Sequence, residues 1–489
     1  MAIIGSAQAV KIAITIVRAK TVAVLLGPSG TGLLGVFNNL RELSSKGAGL
    51  GLTQSGVREL ATAKGDEATL SRVRRVLFAA LVIQGVIAMV LIWLARETLA
   101  LWLLGSAEYS LEIGLVGVAV FLFLVSGSQS ALLQGMRRIG DLGRVTVWGT
   151  LFGTVAGLAA VLLLGREGLI ALILLPALVS VLVAWHYTRR LPPPTSVSLT
   201  PREVWQAWRP MVKLGVVFML GALATAGTLL LVRSRIVQEL GLDAAGHFSA
   251  SWSITMIYVG FLLQAMGADY FPRLTEVIRD REAATRLMND QMQLALALGG
   301  PVLLGLIGCA PWLIPLLYSA EFGPAAELLQ WQTVGNVFKL AVWSLGFAFV
   351  AAARSGVFLY MQLQFNALFL PMIWIGLPIF GLEATGIAFL LAYALQLSVL
   401  AVLVHRLQGF RWQRLSVGLL GMHVTLALAL LVLARAAPLA GAGASILLGL
   451  ATALVGGHIV LTKIGPHGRL VSRVARVYEI IGWPVKAKS

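Results

Sequence analysis

Eight basic residues lie inside segments that are otherwise apolar enough to cross a membrane: Lys11, Arg18, Lys20, Arg41, Lys46, Arg58, Lys213 and Lys339. A cation at the bilayer centre costs about 2.5–3.5 kcal/mol on insertion scales, so eight facing lipid would cost about 20 kcal/mol. The clear acids in the same segments are Glu42, Glu59 and Asp269, too few to neutralise the cations. Arg58 lies at a helix end and can snorkel. The other seven predict a water-filled cationic cavity.

Helical spacing groups these cations with polar residues. Lys11, Thr15 and Arg18 lie at i, i+4 and i+7 and share a helix face, whereas Lys20 points elsewhere and could snorkel. Three further stripes have helical spacing: Asn38, Arg41 and Ser45; Gln332, Asn336, Lys339 and Trp343; and His247, Ser251, Thr255 and Tyr258, with Asp269 near the last face. The alternative is a packed bundle with hydrogen bonds between helices, but such bonds do not require seven excess cations.

A cationic cavity predicts an anionic ligand. Diphosphate is a good candidate, because Lys and Arg bind phosphate oxygens through charge-assisted hydrogen bonds. The aromatic residues Trp252, Tyr258, Trp331 and Trp343 could stack on sugar rings, or they could serve only in packing. Asp269 and His247 are candidates for ion coupling; the competing interpretations are a helix-end cap and an interfacial imidazole.

Composition excludes most other classes of protein. Of the 489 residues, 58% are hydrophobic and only 12% are charged, about half the usual charged fraction of soluble domains. This excludes a soluble enzyme, a disordered chain and a disulfide scaffold. The single cysteine, Cys309, and six scattered histidines predict no metal site, and no cofactor is expected. The fold class is therefore an all-α polytopic membrane protein.

We predict about fourteen transmembrane helices of roughly 20 residues each. They lie near 3–26, 32–62, 76–95, 113–135, 145–164, 168–187, 211–232, 246–269, 291–317, 327–352, 357–379, 384–405, 415–434 and 443–462. Gly47, Gly49 and Gly51 are expected to bend the second. If the N-terminus is cytoplasmic, most of the basic residues that give the net charge of +17 lie in inside loops. The basic residues of the outside loops are only Arg96, Arg166, Arg233, Arg235 and Arg435. This asymmetry follows the positive-inside rule.

The chain also repeats itself at an offset of about 214 residues. Gly27 and Gly32 recur as Gly241 and Gly246, Asp66 recurs as Asp280, and the segment 103–109 resembles 316–322. Each copy contains six predicted helices, so the copies are parallel, as in many transporters whose substrate site lies between the halves. The glycine-rich segment 27–32 is not a phosphate-binding loop, because no Gly-Lys-Ser/Thr follows it; it predicts a tight turn.

The repeat defines the expected domains. They are an N-lobe at 1–190, a cytoplasmic linker at 191–209, a C-lobe at 210–407, two extra helices at 408–464 and a basic tail at 465–489. The linker starts with prolines 192–194 and then has a capping box, Thr200-Pro201-Arg202-Glu203, predicting a short helix. The tail is either a helix on anionic lipid or a solvated basic segment.

Several short motifs resemble those of Wzx-type flippases of lipid-linked oligosaccharides, such as O-antigen and enterobacterial common antigen flippases. This family lies in the superfamily that contains the multidrug and toxin extrusion transporters. The resemblance covers about residues 5–406. It rests on Leu26-Gly27-Pro28, Asn39-Leu40-Arg41, Pro176-Ala177-Leu178-Val179, Phe271-Pro272-Arg273-Leu274-Thr275, and Trp331-Gln332 with Lys339.

The resemblance implies two six-helix lobes in a V shape, with a central cationic cavity open alternately to each side of the bacterial inner membrane. It implies a flippase that moves undecaprenyl-diphosphate-linked oligosaccharide to the outer leaflet, with both termini cytoplasmic. Lys11, Arg18 and Arg41 would line the N-lobe and Lys339 the C-lobe. A polysaccharide polymerase and a chain-length regulator are possible partners, and nucleic acid is not. Asn336 stands where relatives carry an acid, which puts coupling there in doubt.

Three alternatives remain open from the sequence. A small-molecule efflux transporter would share the fold, although cationic drugs favour buried acids. A flippase of the peptidoglycan precursor would have the same kind of composition, helical fold and cationic cavity. An enzyme acting on the same lipid would need a cluster of carboxylates near one membrane face, and the sequence shows none, so we expect no enzymatic activity.

Overall fold

The computed structural model describes residues 2–63, 65–192, 200–464, 475–476, 478–480 and 482–483. Fourteen α-helices and four short 3-10 turns occur in these residues, without any β-strand. The helices are α1 (Ala2–Gly49), α2 (Leu52–Thr62), α3 (Glu67–Leu94), α4 (Arg96–Leu104), α5 (Ser110–Gly135), α6 (Ile139–Leu164), α7 (Ala171–Thr188), α8 (Pro201–Val277), α9 (Arg281–Leu317), α10 (Ala325–Ala351), α11 (Ser355–Phe380), α12 (Ala384–Gln408), α13 (Arg414–Ala436) and α14 (Pro438–Ile464).

The prediction of an all-α polytopic membrane protein is confirmed. In the described ranges, nine helical stretches are long and apolar enough to cross a membrane. Three of them, at 46, 50 and 53 residues, are long enough for two crossings. Helix α1 is not among the nine, so the total of fourteen crossings stays a prediction.

The connections differ from the predicted loops in two places. Only Gly27 separates the first two predicted spans, with φ 63° and ψ −164°, and Pro28 opens the next helical segment. Glycine alone adopts this conformation without strain, and proline is favoured at a helix start, so the predicted turn is shorter than six residues. A segment predicted to be an outside loop forms helix α4. Gly105, in the left-handed conformation, caps the C-terminus of this helix.

The predicted bend of the second span lies at Gly51. Gly51 has φ 66° at the start of α2, whereas α1 continues through Gly47 and Gly49. The predicted capping box is also present. The backbone N–H of Thr200 donates to Glu203 Oε2 at 2.9 Å, and the Glu203 N–H donates to Thr200 Oγ1 at 3.3 Å. The helix that it starts is not short, since α8 runs on to Val277.

Matching backbone features support the predicted duplication. Gly241 interrupts α8 with φ 86°, as Gly27 interrupts α1 with φ 63°. Asp66 caps α3 by accepting from the N–H groups of Ala68 and Thr69. Asp280, 214 residues later in the sequence, accepts in the same way at the start of α9. The matched segments near 107 and 320 both form 3-10 turns.

The described chain divides into two compact units. Unit 1 comprises Met1–Ser249 with Leu317–Phe322, and unit 2 comprises Ala250–Leu316 with Gly323–Ser489. Unit 2 has a continuous apolar core built from α8 to α13, including Met288, Met292 and Phe349. The predicted lobe boundaries at 190 and 210 stay a prediction. Pro193, Pro194 and the tail arginines Arg469 and Arg473 lie outside the described residues.

Glycines allow α1 and α8 to touch backbone to backbone within unit 1. A Cβ added to Gly246 would lie 2.0 Å from the carbonyl oxygen of Pro28, and one added to Gly32 would lie 2.2 Å from that of Leu242. These residues belong to the two equivalent copies of the glycine turn. A second such contact joins Gly51 and Gly215, where either Cβ would lie 2.2 Å from a carbonyl oxygen.

We expect Gly246→Ala to destabilise the protein, because rigid backbone must move to admit the methyl group. Overpacking of this kind costs about 1–3 kcal/mol. Gly305→Ala, in α9, is the matched control, since its Cβ meets nothing within 4 Å. Thermal unfolding of both variants in the same detergent checks the prediction. Equal unfolding temperatures would show that the α1–α8 contact does not constrain the fold.

Candidate functional site

A cavity of about 270 Å³ within unit 1 brings together three of the predicted cations. We call it the basic cavity. Lys11 and Arg18 reach it from the first segment of α1, and Arg41 reaches it from the second segment. Thr15 and Asn38 lie on the same two predicted faces and also line it. The described lining residues are Lys11, Thr15, Arg18, Asn38, Arg41, Phe123, Ser126, Thr150, Thr154, Leu172, Ile173, Pro176, Ala177 and Ser180.

The charged groups that line the basic cavity are all cations. Lys11, Arg18 and Arg41 contribute three positive charges, and none of the fourteen described lining residues is an acid. The Arg41 guanidinium lies 4.9 Å from the ring centroid of Phe123 on α5, a cation–π contact that holds it against this wall. Its Nε is buried and has no hydrogen-bond partner among the residues that the structure describes. An anion would supply the missing acceptors.

The opposite wall comes from α6 and α7, which pack closely through glycine. A Cβ on Gly153 would lie 2.3 Å from Pro176 Cα, so only glycine permits this approach. The packing places Thr150, Thr154 and Ser180 around the cavity. Pro176 cannot donate a hydrogen bond to the carbonyl of Leu172 four residues earlier, so that carbonyl has no helical donor. Both residues line the cavity.

A second cavity of about 440 Å³ adjoins the basic cavity and shares Lys11, Arg41 and Phe123 with it. It also contains Ser45 and an ion pair between Lys46 Nζ and Glu42 Oε1 at 2.5 Å. Lys46 is therefore beside the predicted cavity, but Glu42 neutralises it. The shared residues make the two cavities neighbouring parts of one polar region.

Lys20 and Lys213 do not line either of these cavities. Lys20 is half-buried on α1, and Lys213 is exposed on the first part of α8. Neither lysine therefore belongs to the group that Lys11, Arg18 and Arg41 form in the basic cavity.

Lys339 lies in unit 2 within an aromatic and sulfur environment. Its Nζ is 3.4 Å from Met256 Sδ, 5.9 Å from the ring centroid of Phe389 and 5.6 Å from that of Tyr393. No carboxylate of the described residues forms an ion pair with it. Lys339 is half-buried, and cation–π contacts stabilise a partly desolvated cation only in part.

The other predicted residues of unit 2 contact one another and the core. Gln332 is fully buried, accepting from Thr255 Oγ1 at 2.7 Å and donating to Ser251 Oγ at 3.4 Å. The Asn336 amide is buried, and neither of its polar atoms has a hydrogen-bond partner within the described part of the chain. Trp343 packs on Tyr270 and Phe347, and Tyr258 packs against the apolar core.

The remaining aromatic candidates are also engaged within unit 2. Trp252 stacks on Phe369 with ring centroids 6.1 Å apart. Trp331 donates its Nε1–H to Glu383 Oε2 at 2.8 Å and lies under the Arg435 guanidinium. These contacts are typical of packing, so the structure gives no direct support for sugar stacking at these rings.

The two candidates for ion coupling lie in different units. Asp269 is exposed and pairs with Arg273 at 3.1 Å, one turn further along α8. His247, in unit 1, packs edge-to-face on Phe322 with ring centroids 5.7 Å apart. No described residue forms a hydrogen bond with its Nδ1. Neither lines the basic cavity.

Arg233 is a buried cation that the sequence prediction placed in an outside loop. That placement is wrong, because α8 continues past residue 232 to its interruption at Gly241. Arg233 is 7% exposed, and its Nη1 donates to the carbonyl of Gly35 at 3.1 Å. The repeat contained the signal: the first span ends just before Gly27, so its copy should end just before Gly241.

Comparisons with known proteins agree with this architecture. A solved structure of the lipid II flippase MurJ, in an inward closed conformation, aligns with a TM-score of 0.71 at 12% identity, covering 94% of this chain and 99% of that chain. An inward-facing multidrug transporter of the MATE family, MOP superfamily, aligns with a TM-score of 0.70 at 16% identity, covering 82% and 96%. The chain therefore shares the fold of these two proteins.

The family is shown by sequence. A family model described as "Polysaccharide biosynthesis protein" matches residues 22–327, more than half of the chain, and the protein belongs to this family. The chain is also 25% identical to the "Lipid III flippase" of Escherichia coli (strain K12) over 396 residues, which is 80% of this chain and 94% of that protein. The resemblance inferred from the short motifs is thereby confirmed.

The basic cavity should attract anions, and thiol labelling can measure this. In a Cys309→Ala background, which removes the single native cysteine, we expect Thr150→Cys to react with an anionic methanethiosulfonate about tenfold faster than with a cationic one. Adding Arg18→Gln and Arg41→Gln should abolish most of that preference. Equal rates for both reagents before these changes would contradict a cationic cavity.

Proposed function

We propose that this protein is a flippase that moves an undecaprenyl-diphosphate-linked oligosaccharide from the cytoplasmic to the periplasmic leaflet for surface polysaccharide synthesis. The observation that carries the proposal is the basic cavity, where Lys11, Arg18 and Arg41 meet without a carboxylate. Family membership and the likeness to a lipid III flippase support it. We further propose an inner-membrane location with both termini in the cytoplasm.

In the proposed mechanism, the three cations bind the diphosphate. Each phosphate oxygen accepts charge-assisted hydrogen bonds, with a guanidinium offering donors in a planar fork. Thr150, Thr154 and Ser180 supply further polar groups around the charge. The sugars cross the membrane in the polar region and the polyprenyl chain stays in lipid, so neither part of the substrate enters an unsuitable solvent. Alternating access moves the site between the two leaflets.

Lys339 holds a different place in the proposal. Aromatic rings and Met256 surround its ammonium group in this structure. We propose that Lys339 contacts the diphosphate only in another state of the transport cycle, when the aromatic side chains have moved. Asp269 and His247 stay candidates for ion coupling, and a polymerase and a chain-length regulator stay candidate partners.

The flippase proposal predicts a selective loss of function in cells that lack the native gene. Arg18→Ala and Arg41→Ala should each reduce surface polysaccharide by about tenfold or more, since a hydrogen bond to a charged group contributes about 1.5–3 kcal/mol. Arg58→Ala, an exposed arginine outside both cavities, is the control. Immunoblots must show equal protein levels. Normal polysaccharide in both cavity variants would refute the diphosphate role.

Substrate selection separates the flippase from its alternatives. Purified protein in liposomes should translocate undecaprenyl-diphosphate oligosaccharide, and Arg41→Ala should abolish this. Cells lacking the gene should keep their normal drug-resistance profile, because the basic cavity has no described acidic residue to bind cationic drugs. Translocation of the peptidoglycan precursor alone would assign the protein to that pathway instead.

A further inference from the structure

A third cavity, of about 260 Å³, lies in unit 1 and shares no residue with the basic cavity. Helices α2, α3, α5 and α7 form its walls. It is lined by Leu60, Arg74, Arg75, Leu77, Phe78, Ser128, Gln129, Leu132, Trp185 and Thr188. We propose that it binds the head group of an anionic phospholipid from the surrounding membrane. This site is separate from the proposed transport pathway.

The charge of this cavity fits a phosphate group. Arg74 and Arg75 are its charged residues, and no acid is present among the ten lining residues. Arg74 donates one hydrogen bond from Nη1 to the carbonyl oxygen of Pro192 at 3.0 Å, which holds the guanidinium in place. A guanidinium has five N–H donors, so this bond leaves others for a phosphate.

The rest of the lining fits an amphipathic ligand better than a free anion. Leu60 and Leu77 are fully buried at the cavity wall, whereas Phe78 and Trp185 are 47% and 50% exposed. Tryptophan is enriched where a membrane meets water. A phosphate beside the arginines would therefore continue into glycerol and acyl groups along an apolar surface.

A basic aromatic rim continues from the cavity along the last turn of α7. The Arg189 guanidinium lies 4.4 Å from the Trp185 ring centroid, and the Arg190 guanidinium lies 5.2 Å from that of Tyr187. This end of unit 1 is predicted to be cytoplasmic. Basic pockets between transmembrane helices on that side are known to suit phospholipid head groups.

The size of the cavity restricts the occupant. Since one water occupies about 30 Å³ of liquid, 260 Å³ holds the equivalent of about nine waters. That volume suits a phosphoglycerol group, and an oligosaccharide of several rings would have to extend beyond it. An amphipathic phospholipid therefore fits the cavity and its apolar rim better than the sugar part of the transported substrate does.

Native mass spectrometry of the delipidated full-length protein can test the proposal. We expect tighter retention of phosphatidylglycerol than of phosphatidylcholine, and a loss of about tenfold in affinity for phosphatidylglycerol in Arg74→Gln/Arg75→Gln. The matched control is Arg137→Gln/Arg138→Gln, which removes two exposed arginines from the same predicted membrane face. Arg74→Lys/Arg75→Lys keeps the charge and should retain most of the binding, and this variant separates binding from misfolding.

Four outcomes would overturn the proposal. Equal losses in the cavity and control variants would mean diffuse surface attraction, and displacement by millimolar inorganic phosphate would mean a free-anion site. Displacement by equimolar undecaprenyl diphosphate would assign the cavity to the transported lipid. No preference for phosphatidylglycerol in the unchanged protein would remove the site altogether. None of these outcomes tests Arg18 or Arg41, so the flippase proposal stands or falls separately.

Discussion

The dominant constraint on this protein is the cost of holding cations at membrane depth with few carboxylates to neutralise them. The structure meets that cost in four ways. A polar cavity surrounds Lys11, Arg18 and Arg41, a carboxylate pairs with Lys46, aromatic rings surround Lys339, and a backbone carbonyl accepts from Arg233. Of these four environments, only the polar cavity leaves positive charge available to a ligand in this structure. The size of the cation excess alone therefore does not locate the site.

Glycine determines where the two copies of the repeat can meet in unit 1. At Gly32 and Gly246 the helices approach until only hydrogen atoms fit between backbones. Both residues follow an interruption, at Gly27 and Gly241, that turns the chain between consecutive spans. A side chain at any of the four positions would either strain the backbone or separate the helices. Each copy therefore needs two glycines for two different physical reasons. The first glycine turns the chain between spans, and the second lets the neighbouring backbone approach.

Sequence patterns within a few helical turns predicted most of the fold. Helical periodicity assigned the candidate site residues to helix faces. The positions of the helices, the capping box at Thr200 and the repeat all follow from patterns within a few turns of sequence. The stripe from Lys11 to Arg18 lines the basic cavity, and its role as a ligand site stays a prediction. The stripe from Gln332 to Lys339 has the same pattern, but Gln332 and Asn336 are buried in packed helices, and Lys339 is half-buried. Periodicity assigns a residue to a helix face and does not say whether that face meets water or another helix.

The residues that complete the basic cavity could not be found by searching for charge. Phe123, Thr150, Thr154 and Ser180 are ordinary residues for apolar helices. They line the cavity only because α5 and α6 pack against α1, and α7 packs against α5 and α6. The close approach of Gly153 to Pro176 sets their positions. In the sequence, this close approach is visible only as small residues at helical spacing. Small residues also mark ordinary helix contacts, so the pattern can be interpreted only when the partner helix is known.

The two units differ in chemistry. In unit 1 the polar residues of α1 face a cavity, and the charged groups lining it are cations. In unit 2 the polar residues of α10 satisfy much of their polarity internally, as in the bond from Thr255 to Gln332, but the Asn336 amide is buried with no partner among the described residues. A buried amide with unsatisfied polar atoms is costly in a static core. Such a cost is explained if this packing is one of two arrangements and water or a ligand reaches the Asn336 amide in the other, which is the behaviour that the proposed alternating access requires.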